Sequence, residues 1–229
     1  MIHIIKQPEP PELTLLRETP IIVESENPQD EQTIAATYDD LKDETKKIVC
    51  QKLLEEQGYL CAYCMRTIDS ARIEHQAPQG IYNGKNGFPD LQLSYENFLG
   101  VCVGYYKENI KEKHCESVRG STDLTINPLD ANTLEQLKYT QNGKIFSENE
   151  AINTDLDATL KLNLEIISKK RQNTWIGVND GLGFKGKNIT IIERQIAKYS
   201  TQKIDGKRYE YCGIVLYFLQ KELKDLQKK

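Results

Sequence analysis

Cys61-Ala62-Tyr63-Cys64, Ile73-Glu74-His75, Glu96-Asn97-Phe98-Leu99-Gly100-Val101-Cys102 and His114-Cys115-Glu116-Ser117-Val118-Arg119-Gly120 follow one another between residues 61 and 120. Four of the six cysteines and two of the three histidines of the chain fall inside this stretch. Such crowding of metal-binding residue types asks for a chemical explanation. A structural zinc takes four ligands in a tetrahedron, commonly as two short chelating pairs. Cys61 and Cys64 form one such pair, because two intervening residues let both sulfurs face one point. Twelve residues lie between Cys102 and Cys115, so a loop has to close the second pair. A redox role for the Cys-x-x-Cys would call for a βαβ context, and the loop-rich sequence after Cys64 offers none. Cys50 and Cys212 fall in helical patterns and read as core thiols.

Glu74-His75 lies between the halves of the cysteine set, and Asn97 lies shortly before Cys102. Phosphodiester hydrolysis needs a base for water and a cation for the charge that develops on phosphate and leaving oxygen. A neutral imidazole serves as such a base near neutral pH. Carboxylates such as Glu74 and Glu116 suit a hard divalent cation. The same residues admit a structural reading, in which His75 is a hydrogen-bonded fold residue and His114 replaces a cysteine on zinc. Residue types alone leave both open.

The rest of the chain frames this stretch. At 229 residues it can bury one good core, or one core with a smaller module. Its 38% hydrophobic and 28% charged composition suits a soluble protein, and no stretch approaches the ~20 apolar residues of a membrane helix. No signal-peptide pattern opens the sequence, which points to the cytoplasm. The net charge of −4 is uneven: residues 1–160 hold 15 Lys/Arg against 27 Asp/Glu, and residues 161–229 hold 15 against 7. A basic C-terminal region attracts phosphate or an acidic partner, or is simply a solvated helical face.

Residues 1–37, rich in proline, read as an extended arm with short strands at Met1–Lys6 and Ile21–Glu24. Apolar residues at three- and four-residue steps predict a helix from Tyr38 to Gln57. A turn-and-strand piece spans Arg66–His75, and 76–93 reads as loop. Leu124–Leu129 reads as a strand ended by Pro128, and Lys138–Phe146 as a hairpin turning at Asn142-Gly143. Helices are expected after Thr154, over Thr190–Tyr199 and over Tyr209–Leu226. The four glycines of Trp175–Lys187 suggest a mobile loop. Three units result: the arm, a zinc-stapled module over 38–130, and a hairpin plus helical region over 131–229.

In this order the motifs resemble the HNH endonuclease module with a zinc-binding frame. More narrowly they are similar to the HNH proteins of bacterial antiphage systems, the PtuB-like component of Septu and of certain retron loci. Leu60-Cys61-Ala62-Tyr63-Cys64, Ile73-Glu74-His75, Glu96-Asn97, His114-Cys115-Glu116 and Arg119-Gly120 carry the likeness, with weaker echoes at Asn127-Pro128-Leu129, Asn142-Gly143-Lys144-Ile145 and Lys161-Leu162-Asn163-Leu164. The resemblance implies an α+β fold with a ββα-metal core, held by a structural zinc on Cys61, Cys64, Cys102 and Cys115. It implies His75 as general base, Asn97 as the residue holding the His75 loop, and Arg119 in the place of a phosphate-contacting lysine. Glu74 would bind a catalytic Mg2+ or Mn2+ together with Glu116 or His114. A nucleic-acid substrate, DNA before RNA, and a PtuA-like ATPase partner are implied as well. The competing class is a non-catalytic zinc-stapled adaptor that binds a protein or nucleic acid.

Overall fold

The computed structural model describes residues 1–23, 32–80, 87–106, 111–185 and 187–228. Among these residues it is an α+β assembly of helices and three small two-stranded antiparallel sheets. Among the described residues no helix is long and apolar enough to cross a membrane.

The N-terminal arm departs from the extended expectation. Met1–Lys6 pairs in no sheet, but the Ile4 N–H bonds to the Pro128 carbonyl at 2.9 Å and Met1 and Ile4 are buried. Pro11 starts helix α1 (Pro11–Glu18). A proline at the first helical position gives up an N–H that had no partner anyway, and its fixed φ suits the helix. Leu13 then anchors α1 in the core. Strand β1 (Ile21–Val23) pairs with β2 (Gln32–Ile34); Glu24 of the expected strand lies outside the described residues. A 3-10 turn at Tyr38–Asp40, closed by a reciprocal Thr37–Asp40 cap, precedes α2 (Asp43–Glu56), so the helix expected from Tyr38 is broken at Leu41-Lys42.

Two elements form the floor of the site. Strand β3 (Arg72–His75) lies antiparallel to β4 (Phe98–Val101), with Glu74 opposite Leu99 and His75 opposite Phe98. Helix α3 (Glu116–Arg119) is a single turn after Cys115. Ile73 and Phe98 join Val49, Leu53 and Leu13 in one apolar cluster beneath α2. A larger cluster runs from Met1 through the cysteines to Leu219.

Leu124–Leu129 forms no strand. The Thr125 and Ile126 N–H groups bond instead to the Asp155 carboxylate at 2.6 and 2.9 Å, so a side chain takes the place of a neighbouring strand. After the short helix α4 (Ala131–Leu134), the expected hairpin is present as β5 (Lys138–Tyr139) and β6 (Ile145–Phe146). The single helix expected after Thr154 is three pieces: α5 (Glu150–Thr154) capped by Asn149, a π-helical turn at Asp155–Thr159, and α6 (Glu165–Lys185). Helix α6 overturns the loop expected over 175–187; only Gly186 lies outside the described residues. Buried Trp175 and Leu182, with Trp175 stacked on Phe218 at 4.8 Å, outweigh the helix-weakening glycines. Helices α7 (Ile189–Ser200) and α8 (Cys212–Gln227) complete the chain, close to their expected spans.

Candidate functional site

The two cysteine pairs converge. In the first, the Cys61 N–H bonds to the Arg66 carbonyl and the Met65 N–H to the Cys61 carbonyl, both at 3.0 Å. Met65 takes the left-handed region (φ 64°) to make this tight turn. The Ala62 N–H reaches Gly100 at 3.0 Å and ties the turn to β4. In the second, Gly104 (φ 72°) bends the chain just after Cys102, and its carbonyl accepts the His114 N–H at 2.7 Å. That bond closes the long loop, part of which (107–110) lies outside the described residues. A Cβ on Gly104 would stand 2.4 Å from the His114 oxygen and from Ser117 Oγ.

All four cysteines are free and buried, with their sulfurs within 4.8 Å of one another. Cys61 and Cys115 are separated by 4.0 Å and Cys64 and Cys102 by 3.9 Å. Tetrahedral zinc with bonds of about 2.3 Å would set its sulfurs about 3.8 Å apart. The Cys102 and Gly104 N–H groups point at the sulfurs of Cys61 and Cys102, each at 3.4 Å. Burial pushes the Cys64 and Cys115 thiols well up, while S–H groups from its neighbours, Cys115 foremost, hold Cys102 down. Four thiols that share one dry point and cannot all be hydrated there suit a soft cation such as zinc.

The acid-histidine pair lies on β3 beside this cluster. His75 packs edge-on between Tyr38 (4.7 Å) and Phe98 (5.0 Å). Its Nε2 lies 3.0 Å from the Gln92 carbonyl, which can only accept, so Nε2 carries the proton and Nδ1 holds the lone pair. Nδ1 has no protein partner among the described residues and is not one of the sealed unpaired atoms. Burial, with a smaller contribution from Arg119, lowers the His75 pKa and favours the neutral ring. Glu74 Oε1 accepts from Arg119 at 2.6 Å and from Tyr63 Oη at 3.3 Å. Burial raises the Glu74 pKa and Arg119 opposes that rise.

Asn97 is a clamp. Its side chain accepts the Ala77 N–H at 2.7 Å and donates to the Ala77 carbonyl at 2.9 Å, while its own carbonyl takes the Gln76 N–H at 2.8 Å. The segment just after His75 is thereby fixed to the start of β4. Glu116 lies over the face of β3 that carries residues 72 and 74, pairing with Arg72 at 3.1 Å through Oε2. Oε2 of Glu74 and Oε1 of Glu116 have no protein partner among the described residues. The chemistry of a hard divalent cation fits such a pair, since Mg2+ takes one or two protein carboxylates and completes its shell with water and phosphate oxygens.

Two residues sit differently from their expected places. His114 is fully buried, with Nδ1 3.1 Å from Cys115 Sγ and its ring 5.3 Å from that of Tyr106; it belongs to the cysteine cluster. Arg119 is no open phosphate contact. All three guanidinium nitrogens are engaged, by Glu74, Tyr63 Oη, the carbonyls of His75 and Gln76, and that of Thr122. It locks Glu74 and the end of β3 in place. Gln57, Tyr63 and Gln92 are support residues that the motifs did not single out. The Gln57 amide bridges the Leu60 and Gly100 backbones, with every bond 2.7 Å. Only Tyr63, inside the Cys-x-x-Cys, stood within a visible motif.

No family model matches the chain. Over 85 residues it is 34% identical to a protein of Vibrio cholerae serotype O1 biovar El Tor described as "Retron Vc95 putative HNH endonuclease". The alignment covers 36% of this chain and 38% of that relative. The likeness to a protein described as a putative HNH endonuclease is therefore partial, and the chain spans less than two fifths of that relative's length.

Proposed function

We propose that the chain is a metal-dependent HNH endonuclease that hydrolyses phosphodiester bonds, DNA before RNA, as the effector of an antiphage complex with a PtuA-like ATPase. The observation that carries this reading is His75, whose Nε2 is held by the Gln92 carbonyl so that Nδ1 keeps an open lone pair. Strands β3 and β4 with α3 would be the ββα-metal core, and the four cysteines its zinc frame. The retron setting of the Vibrio relative supports the defence role.

In this reading His75 Nδ1 takes a proton from water, and the oxygen attacks phosphorus as the bond to the leaving oxygen breaks. Asn97 and Gln92 keep the imidazole in line, from the following loop and from Nε2 respectively. Arg119 holds Glu74 oriented from below. Glu74 and Glu116 are the carboxylates for a divalent cation, with Mg2+ or Mn2+ the fitting choices. When bound, such an ion neutralises charge on the phosphate and the leaving oxygen.

The test pairs metal analysis with plasmid cleavage in Mg2+ or Mn2+, with and without a PtuA-like ATPase, for the parent and for His75→Ala. About one zinc per chain together with His75-dependent cleavage is expected. Zinc without cleavage under any partner would mean an adaptor in place of a nuclease.

A further inference from the structure

Positive charge left without a carboxylate collects at one place away from His75. Lys198 lies in the last turn of α7, and Lys203 and Lys207 lie in the connection from α7 to α8. Among the described residues none of the three is within ion-pair distance of an acidic group, whereas Lys47, Lys138 and Lys187 each pair with a glutamate. Their ammonium groups stand over tyrosine faces instead. Lys198 Nζ is 5.0 Å from the centre of Tyr209 and 5.4 Å from that of Tyr199. Lys203 is 5.2 Å from Tyr209, and Lys207 is 5.2 Å from Tyr59. Tyr199 and Tyr209 pack 4.7 Å apart and border a hollow of about 520 Å³ whose other walls include Asn173, Thr174 and Gln195. Glu210 at its edge forms no ion pair with the lysines among the described residues; its carboxylate accepts the Thr67 N–H at 3.1 Å.

We infer that this lysine–tyrosine strip is a second binding surface of the chain and that it takes single-stranded nucleic acid. The inference rests on the nuclease reading for the class of ligand. Ammonium groups with no carboxylate partner gain most from phosphates, and displacing counterions from that backbone drives binding. When a lysine leaves its ring for a phosphate, the face of half-buried Tyr59 or Tyr209 that it covered can stack on a base that is not already stacked in a duplex. Until then, cation–π attraction keeps each charge at the ring. The strip offers a chain with a net charge of −4 a local positive field that the carboxylate-rich His75 region lacks. No hydrogen bond, ion pair or ring contact joins the strip to Glu74, His75, Asn97 or Glu116 among the described residues, so its substitution leaves that centre intact.

The experiment is fluorescence anisotropy of a labelled oligothymidylate of about twenty nucleotides, in a salt series, on full-length protein carrying His75→Ala to prevent cleavage. Lys198→Glu/Lys203→Glu/Lys207→Glu is expected to weaken binding at least about ten-fold at low salt. It should flatten the log–log salt slope by about 2, at about 0.7 per lost phosphate contact on a single strand. The corresponding lysine-to-arginine triple should keep both affinity and slope. Should the glutamate triple fail to fold, Lys203→Glu alone should flatten the slope by about 0.7. Tyr209→Ala should weaken binding about five-fold or more, and Tyr209→Phe should not. An unchanged slope in folded variants would overturn the proposal. So would a poly-glutamate peptide that displaces the strand as well as unlabelled oligonucleotide does, since that marks a surface for an acidic protein. The two readings fail separately: cleavage that survives His75→Ala removes the catalytic assignment and leaves the strip, while His75-dependent cleavage with an unchanged slope removes the strip alone.

Discussion

His75 and Arg119 make opposite demands on substitution. Replacing His75 by alanine removes the open Nδ1, and cleavage should fall about 10²- to 10⁴-fold, the usual contribution of a general base. Loss of the Nε2 bond to Gln92 costs stability of about 1–3 kcal/mol, while zinc content should stay at the parent value. Single-turnover cleavage beside zinc analysis checks both parts, and full activity in the variant would contradict the assignment. Arg119→Met acts on the fold first. It leaves Glu74 buried without its ion-pair partner, a change that typically costs about 3–5 kcal/mol. Arg72→Met at the half-exposed Arg72–Glu116 pair should cost about 1 kcal/mol or less. Urea unfolding of the two variants measures the contrast, and equal losses would mean that Glu74 is not sealed as described.

Elements succeed here where turns are closed by specific residues. Gly104 must be left-handed and must also let the His114 carbonyl and Ser117 approach. Gly104→Ala combines backbone strain of about 1–2 kcal/mol with overpacking of about 1–3 kcal/mol, so a loss of about 2–5 kcal/mol and weaker zinc retention are expected. Gly120 has a similar φ of 58° but open space around a would-be Cβ, so Gly120→Ala should cost only the strain. Thermal melts of the pair, with zinc release followed by a colorimetric chelator, decide it. Local pattern was enough for α2, α7, α8 and the β5–β6 hairpin, whose periodicity or Asn-Gly turn is written in neighbouring residues. It failed for α1, read as extended because its prolines sit where a helix can also begin. It failed for α6, where glycines argued for a loop but Trp175 and Leu182 find partners far along the chain. Leu124–Leu129 carries strand-like residues, yet the side chain of Asp155 satisfies its backbone.

Across the molecule, the cysteine cluster belongs to the same apolar core that runs from Met1 to Leu219. Structural zinc contributes about 10–16 kcal/mol in small zinc domains, so its removal should not be a local event here. Chelation at neutral pH should release about one zinc per chain and lower the melting temperature, with near-UV circular dichroism lost in the same step. A melt unchanged after zinc removal would mean that the cysteines are ordinary core residues. The sequence by itself determined the site's chemical inventory: a Cys-x-x-Cys, two later cysteines, an acid-histidine pair and an asparagine, each recognisable because metal and proton chemistry restrict the residue types that serve. It left open which of Glu116 and His114 stands with Glu74, and the resemblance put Arg119 in the place of a phosphate contact. Those answers depend on direction and burial, which residue order does not encode. The β3–β4 register and the turn at Gly104 send His114 into the sulfur cluster, Glu116 over the face of β3, and Arg119 beneath Glu74, and only the packed chain sets those directions.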